Sequence, residues 1–297
     1  MKRLIPVLLA AALLLTGCAV GGGKPADNSY RLGVGGDLGI TVSENGGAVE
    51  ATWAAVTLDA AGRIVRCDID AFNIKVESGK DPDLRSKNEM KEDYGMVAWA
   101  GAEKEWYQQV DIFCRAVEGR TLEEVMSLRS GNEQDLTAGC TIALDPLQHA
   151  VAKAVLQAQE QPLSADDSLT LKLKAGVTPD GESYSVAIDA AAVTMADGKA
   201  TGCMVDSIQG TLSAETGSQY DHLSKRELGY HYGMAAVTGK LEWFEQMDAL
   251  QQAVIGKTAD GVTAIEVNGK VDPSLDLAGK ATIYIGGTVA LIAAAMA

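Results

Sequence analysis

The chain has 297 residues, 47% of them hydrophobic and 5% aromatic, and carries a net charge of −15. That length suits two ordinary domains, and the hydrophobic fraction supports a packed core, which excludes an intrinsically disordered chain. The acidic balance repels phosphate backbones and so excludes nucleic acid as a partner; it also repels an anionic bilayer, so membrane attachment requires a covalent anchor.

The first segment supplies such an anchor. Lys2 and Arg3 form a positive n-region and Ile5 to Leu15 an apolar h-region, too short to span a bilayer. Behind it, Leu15-Thr16-Gly17-Cys18 resembles the lipobox of bacterial lipoproteins. The resemblance implies that residues 1–17 are a signal peptide and that Cys18 becomes a lipidated N-terminus. The mature protein is then held at the cell membrane on its extracytoplasmic face. Cleavage removes two basic residues, giving a mature charge of −15 − 2 = −17.

Residues 18–38 read as a flexible tether rich in Gly, Pro, Ser and Asn. Its "RLGVGGDLG" lacks the GxGxxG spacing of a nucleotide loop. The rest of the chain repeats itself. "AAVTLDAAGRIVRCDID" from Ala54 and "AAVTMADGKATGCMVD" from Ala191 each read as a β-hairpin, with Cys67 matching Cys203 and Asp70 matching Asp206. Ser86 with Glu89, and Ser224 with Glu227, are capping boxes that open short helices ending at Gly95 and Gly233. A longer helix follows in each copy. Trp106, Val110, Phe113 and Val117 form one apolar stripe, and Trp243, Met247, Leu250 and Val254 form the other. Gly119 and Gly256 close these helices, and Thr121 and Thr258 open the next short segments. Each copy then reads as a β-branched strand and a closing helix, the first of these with Asp145 as N-cap and Pro146 as first helical residue. The fold class is therefore α+β, with two tandem homologous domains after the signal peptide, each an antiparallel sheet with helices. The boundaries are 39–157 for the first repeat, 158–168 for a linker and 169–297 for the second repeat.

Before each closing helix stand "DLTAGCT" from Asp135 and "DLAGKAT" from Asp276. These resemble the D-x-x-S/T-G-A-T segment of the FMN-binding domain family, in which a flavin transferase esterifies FMN through its phosphate to the last Thr. Ala138 and Gly279 stand at the S/T place, Cys140 at the Ala place and Lys280 at the Gly place. The resemblance implies cofactor-binding roles for Asp135, Gly139 and Thr141, and for Asp276 and Thr282, with Thr141 the better acceptor. It implies covalent FMN, a flavin transferase and a redox partner, so that the protein is an electron carrier rather than a turnover enzyme. The alternative is a non-redox ligand-binding or interaction module that keeps the fold without flavin, in which Thr141 and Thr282 are ordinary strand residues. The four cysteines beyond Cys18, namely Cys67, Cys114, Cys140 and Cys203, have no CxxC spacing, and their pairing stays open. His149, His222 and His231 share no ligand spacing, and there is no nucleophile elbow or catalytic triad pattern.

Overall fold

A computed structural model describes residues 29–43, 46–129, 136, 139–213, 217–219 and 222–297. Cys18 and its leader, and Asp135 of the first motif, lie outside the described residues. No helix among those described is long and apolar enough to cross a membrane.

The fold is α+β. Strands β1 (Tyr30–Ser43), β2 (Gly46–Leu58) and β3 (Ile64–Glu77) form an antiparallel sheet, joined at its β1 edge by β4 (Gln159–Gln161). Strands β5 (Ser168–Asp180), β6 (Ser183–Ala196), β7 (Lys199–Ser213) and β8 (Gly217–Gln219) form a second sheet in that order. The expected hairpins are β2–β3 and β6–β7, with Gly62 and Gly198 at positive φ in their turns.

The sheets pack face to face because both faces of their central strands are apolar. Val49, Ala51, Trp53 and Ala55 of β2 point toward Val186, Ile188, Ala190 and Ala192 of β6 in one shared core. The intervening Ala54, Val56 and Leu58 point the other way, onto the helices of the first half. Ala191 and Val193 do the same in the second half. Period-two alternation with both sets apolar yields four layers: helices, sheet, sheet, helices.

Helices α1 (Lys87–Met90), α2 (Met96–Ala100), α3 (Trp106–Val117), α4 (Leu122–Ser127) and α5 (Asp145–Leu156) cover the first sheet. Helices α6 (Lys225–Leu228), α7 (Met234–Thr238), α8 (Trp243–Val254), α9 (Ala259–Thr263) and α10 (Gly286–Ala295) run in the same order in the second half. Both capping boxes at Ser86 and Ser224 form, and Gly95 and Gly233 adopt the left-handed conformation. Both predicted stripes are buried, Phe113, Val117, Leu250 and Val254 completely. The halves are tied by Lys153 of α5, whose ammonium meets Asp37 of β1 at 2.7 Å and Glu227 of α6 at 3.1 Å. A second tie is the Leu171 N–H, which donates to Asp68 of β3 at 2.7 Å.

Four expectations change. The tether 18–38 overlaps β1, which begins at Tyr30, so the first repeat starts before residue 39. Its glycines serve packing: a Cβ on Gly33 would stand 1.9 Å from the Ala154 carbonyl oxygen, and one on Gly35 would stand 2.6 Å from the Ala154 nitrogen, so only bare backbone lets α5 lie on this strand. The linker 158–168 contains β4 and ends in the first residue of β5. No strand follows either motif; residues 140–144 and 281–285 are irregular. Helix α5 takes Leu144 as N-cap, with Asp145 already helical.

Asp70 and Asp206 are the buried counterparts that anchor α1 and α6. Asp70 Oδ1 accepts from the N–H groups of Ala71 and Asn88, and Asp206 Oδ1 from those of Ser207 and Arg226. Burial pushes each carboxyl up to about 6. A folded pKa above the ordinary 3.8 means that the native state holds its proton more tightly than the unfolded chain. Stability is therefore fully present below pH 4 and declines as pH rises through about 6, by on the order of 3 kcal/mol for one group. Asp70→Asn keeps the acceptor oxygen and removes the charge. Its stability relative to wild type should be higher at pH 7.5 than at pH 4.5 in urea melts, whereas a pH-independent difference would contradict the assignment.

Candidate functional site

The motif residues are held by side chains of the long helices. Gln109 of α3 is buried, and its Oε1 accepts from the Thr141 N–H at 2.8 Å, the Thr141 hydroxyl at 3.1 Å and the Ile142 N–H at 3.2 Å. Its amide donates to the Lys104 carbonyl. Gln246 of α8 repeats each contact with Thr282, Ile283 and Leu241. Buried side-chain amides need such partners, so each glutamine fixes its turn by satisfying both of its own polar ends. Thr141 is exposed and Thr282 half-buried. Gly139 lies under the Ile112 side chain, which a Cβ would meet at 2.4 Å. Asp276 is exposed at the start of the 3-10 turn Asp276–Gly279. Thr141 and Thr282 thus sit on separate irregular turns in separate halves, each held by a glutamine of the long helix.

Beside Thr141 opens a cleft of about 910 Å³. Its floor is the helix-facing side of the first sheet, at Asp37, Gly39, Glu50 and Thr52; Tyr94, Trp99, Trp106, Ile142 and Pro146 form its walls. Lys87 places its ammonium 4.8 Å from the Tyr94 ring centre and 5.0 Å from that of Trp106, a cation–π contact that fixes one wall. Lys225, Tyr232 and Trp243 form the same cluster in the second half.

The outer wall is α2, five residues between left-handed glycines Gly95 and Gly101. Its first two N–H groups, on Met96 and Val97, donate to the buried Glu105 carboxylate at 2.8 and 3.0 Å. Glu242 holds the N–H groups of Met234 and Ala235 in the same way. A carboxylate at a helix N-terminus satisfies free donors and favours the dipole. Trp99 projects from α2 with 88% of its surface exposed; Val237 holds that place on α7.

Glu105, Gln109 and their counterparts were not singled out by the sequence reading. The signal was there: "EWYQQVD" and "EWFEQMD" repeat Glu, Trp, Gln and Asp at one spacing. Among the described residues no group of three or more His, Cys, Asp or Glu is arranged to hold a metal ion.

The residues fit a flavin in part. The aromatic wall suits the ring, and exposed Thr141 directly precedes Ile142 of that wall, though its hydroxyl is engaged with Gln109. The cleft's charged lining suits a phosphate poorly, since Glu50 and Asp145 are acidic, Asp37 is already paired with Lys153 and Lys87 is engaged with two rings. Comparison with known protein families, characterised proteins and solved structures finds no match for the chain.

Proposed function

We propose that this protein is a membrane-anchored extracytoplasmic lipoprotein whose first half binds a planar aromatic ligand that is neutral or cationic. The observation that carries the reading is Trp99, an almost fully exposed indole on the lip of an acidic, aromatic-walled cleft. Its place on the lip of a concave surface with further aromatic walls supports a binding site, and stacking on it is offset or edge-on. Glu50 and Asp145, unlike the Lys153-paired Asp37, add attraction for a positive charge. Anchorage through Cys18 rests on the lipobox resemblance.

A second reading, covalent FMN on Thr141 in an electron carrier, is favoured by the exposure of that residue and by the matching holds of Gln109 on Thr141 and Gln246 on Thr282. Calorimetric titration of the full chain with a cationic acridine, riboflavin and FMN separates the two. The binding reading expects the acridine to bind tightest and FMN weakest at low salt, with the differences shrinking as salt rises. The carrier reading expects flavin fluorescence that survives denaturation after co-expression with a flavin transferase and disappears in Thr141→Ala. FMN binding tightest of the three, without covalent attachment, would contradict the charge argument.

A further inference from the structure

A different place in the fold, where α3 lies on β3, differs between the halves. In the second half Arg226 joins α6, α8 and β7. Its Nε donates to the Val205 carbonyl at 2.7 Å, and its Nη2 to Asp248 at 2.8 Å and Gln251 at 3.0 Å; the side chain is only 4% exposed. Gln251 in turn accepts from the Val205 N–H at 2.8 Å.

The first half lacks this staple. Asn88 occupies the place of Arg226, and its side-chain amide donates to the Ile69 carbonyl at 3.0 Å. Asp111 occupies the place of Asp248 and pairs with Arg115 on its own helix. Cys114 replaces Gln251, and Cys67 of β3 packs against the same core cluster. The space that the guanidinium would fill is a cavity of about 260 Å³, onto which Cys67, Asn88, Asp111 and Cys114 all open. Cys203, the counterpart of Cys67, is fully buried against helices of its own half.

We propose that Cys67 and Cys114 are a disulfide-forming pair that joins β3 to α3 covalently where the second half uses Arg226. The oxidant is a small or protein disulfide. Cys67, the half-buried thiol, loses its proton and attacks one sulfur of that disulfide, releasing one thiolate. Cys114 then gives up its proton and attacks the Cys67 sulfur, forming the Cys67–Cys114 bond and releasing the second thiolate. Two protein thiols are oxidised and one disulfide is reduced to two thiols.

The surroundings favour a structural bond over a catalytic one. The neighbouring Cys67, toward which Cys114 keeps its proton, burial and the nearby Asp68 and Asp111 carboxylates raise the Cys114 thiol well above its ordinary range. A reduced pair that is not stabilised as thiolate gives a disulfide that resists reduction. Cys140 is buried, and burial raises its thiol too.

The test is thiol mapping on the full chain, independent of any cleft ligand. The protein is incubated with oxidised glutathione, denatured without reductant, alkylated and digested. The peptides of Cys67 and Cys114 should appear as one cross-linked species, with Cys140 and Cys203 alkylated. The oxidised protein should melt several degrees above its reduced form, and Cys114→Ser should abolish that difference. Separate alkylation of Cys67 and Cys114 after oxidation, or a cross-link to Cys140 or Cys203 instead, would overturn the proposal.

Discussion

Phe113→Ala should destabilise the protein by about 3–5 kcal/mol, the range for removing a fully buried phenyl ring. Phe113 sits on α3 with no exposed surface, among Val110, Val117 and the helix-facing residues of the first sheet. The truncation loses the transfer free energy of the ring and leaves a cavity that two rigid layers cannot close. Urea-induced unfolding followed by circular dichroism reads the change. Leu250→Ala, the matching change on α8, should cost about 2–5 kcal/mol by the same reasoning. A loss below about 1 kcal/mol at Phe113 would mean that α3 does not pack as described.

Gly33→Val should be of similar size, for the opposite reason. The added Cβ alone would stand 1.9 Å from the Ala154 carbonyl oxygen, an atom of the α5 backbone that no rotamer change can move. The helix must lift from β1, which also disturbs Ala150 and Val151 beneath it. Overpacking of this kind costs roughly 3 kcal/mol at the upper end of its usual range. Thr170 provides the control. Gly33 lies opposite Val56 and Thr170 opposite Val193, so the two hold corresponding places in β1 and β5. Thr170→Val should stay within about 1 kcal/mol of wild type. Equal tolerance at both positions would show that the approach of α5 to β1 is not tight.

These two residues also show how far the sequence could be read. Phe113 was legible because helical period and apolarity agree, and the capping boxes at Ser86 and Ser224 were legible because a hydroxyl and a carboxylate three apart form a local arrangement. Gly33 was not. Glycines at 33, 35 and 36 carry the composition of a tether, and only the tertiary approach of α5 and Trp53 turns that composition into a strand. β4 was hidden similarly, being three residues that exist only as a ladder on β1. The motif turns were read as strands because Thr141-Ile142 and Thr282-Ile283 are β-branched. Gln109 and Gln246 instead take their N–H groups, so no neighbouring strand is needed. The cleft escaped the reading as well, since Trp99 and Asp37 are sixty-two positions apart and meet only through the fold.

The claim that Trp99 and the acidic cleft form the binding site is tested most directly by calorimetric titration of a cationic acridine into three proteins: wild type, Trp99→Ala and Val237→Ala. Val237 occupies the place of Trp99 on α7 and is equally exposed, so it controls for surface change alone. Trp99→Ala should weaken binding about tenfold, equivalent to 1.4 kcal/mol of lost stacking and burial, and Val237→Ala should leave it unchanged. Unaltered affinity in Trp99→Ala, or equal losses in both variants, would contradict it.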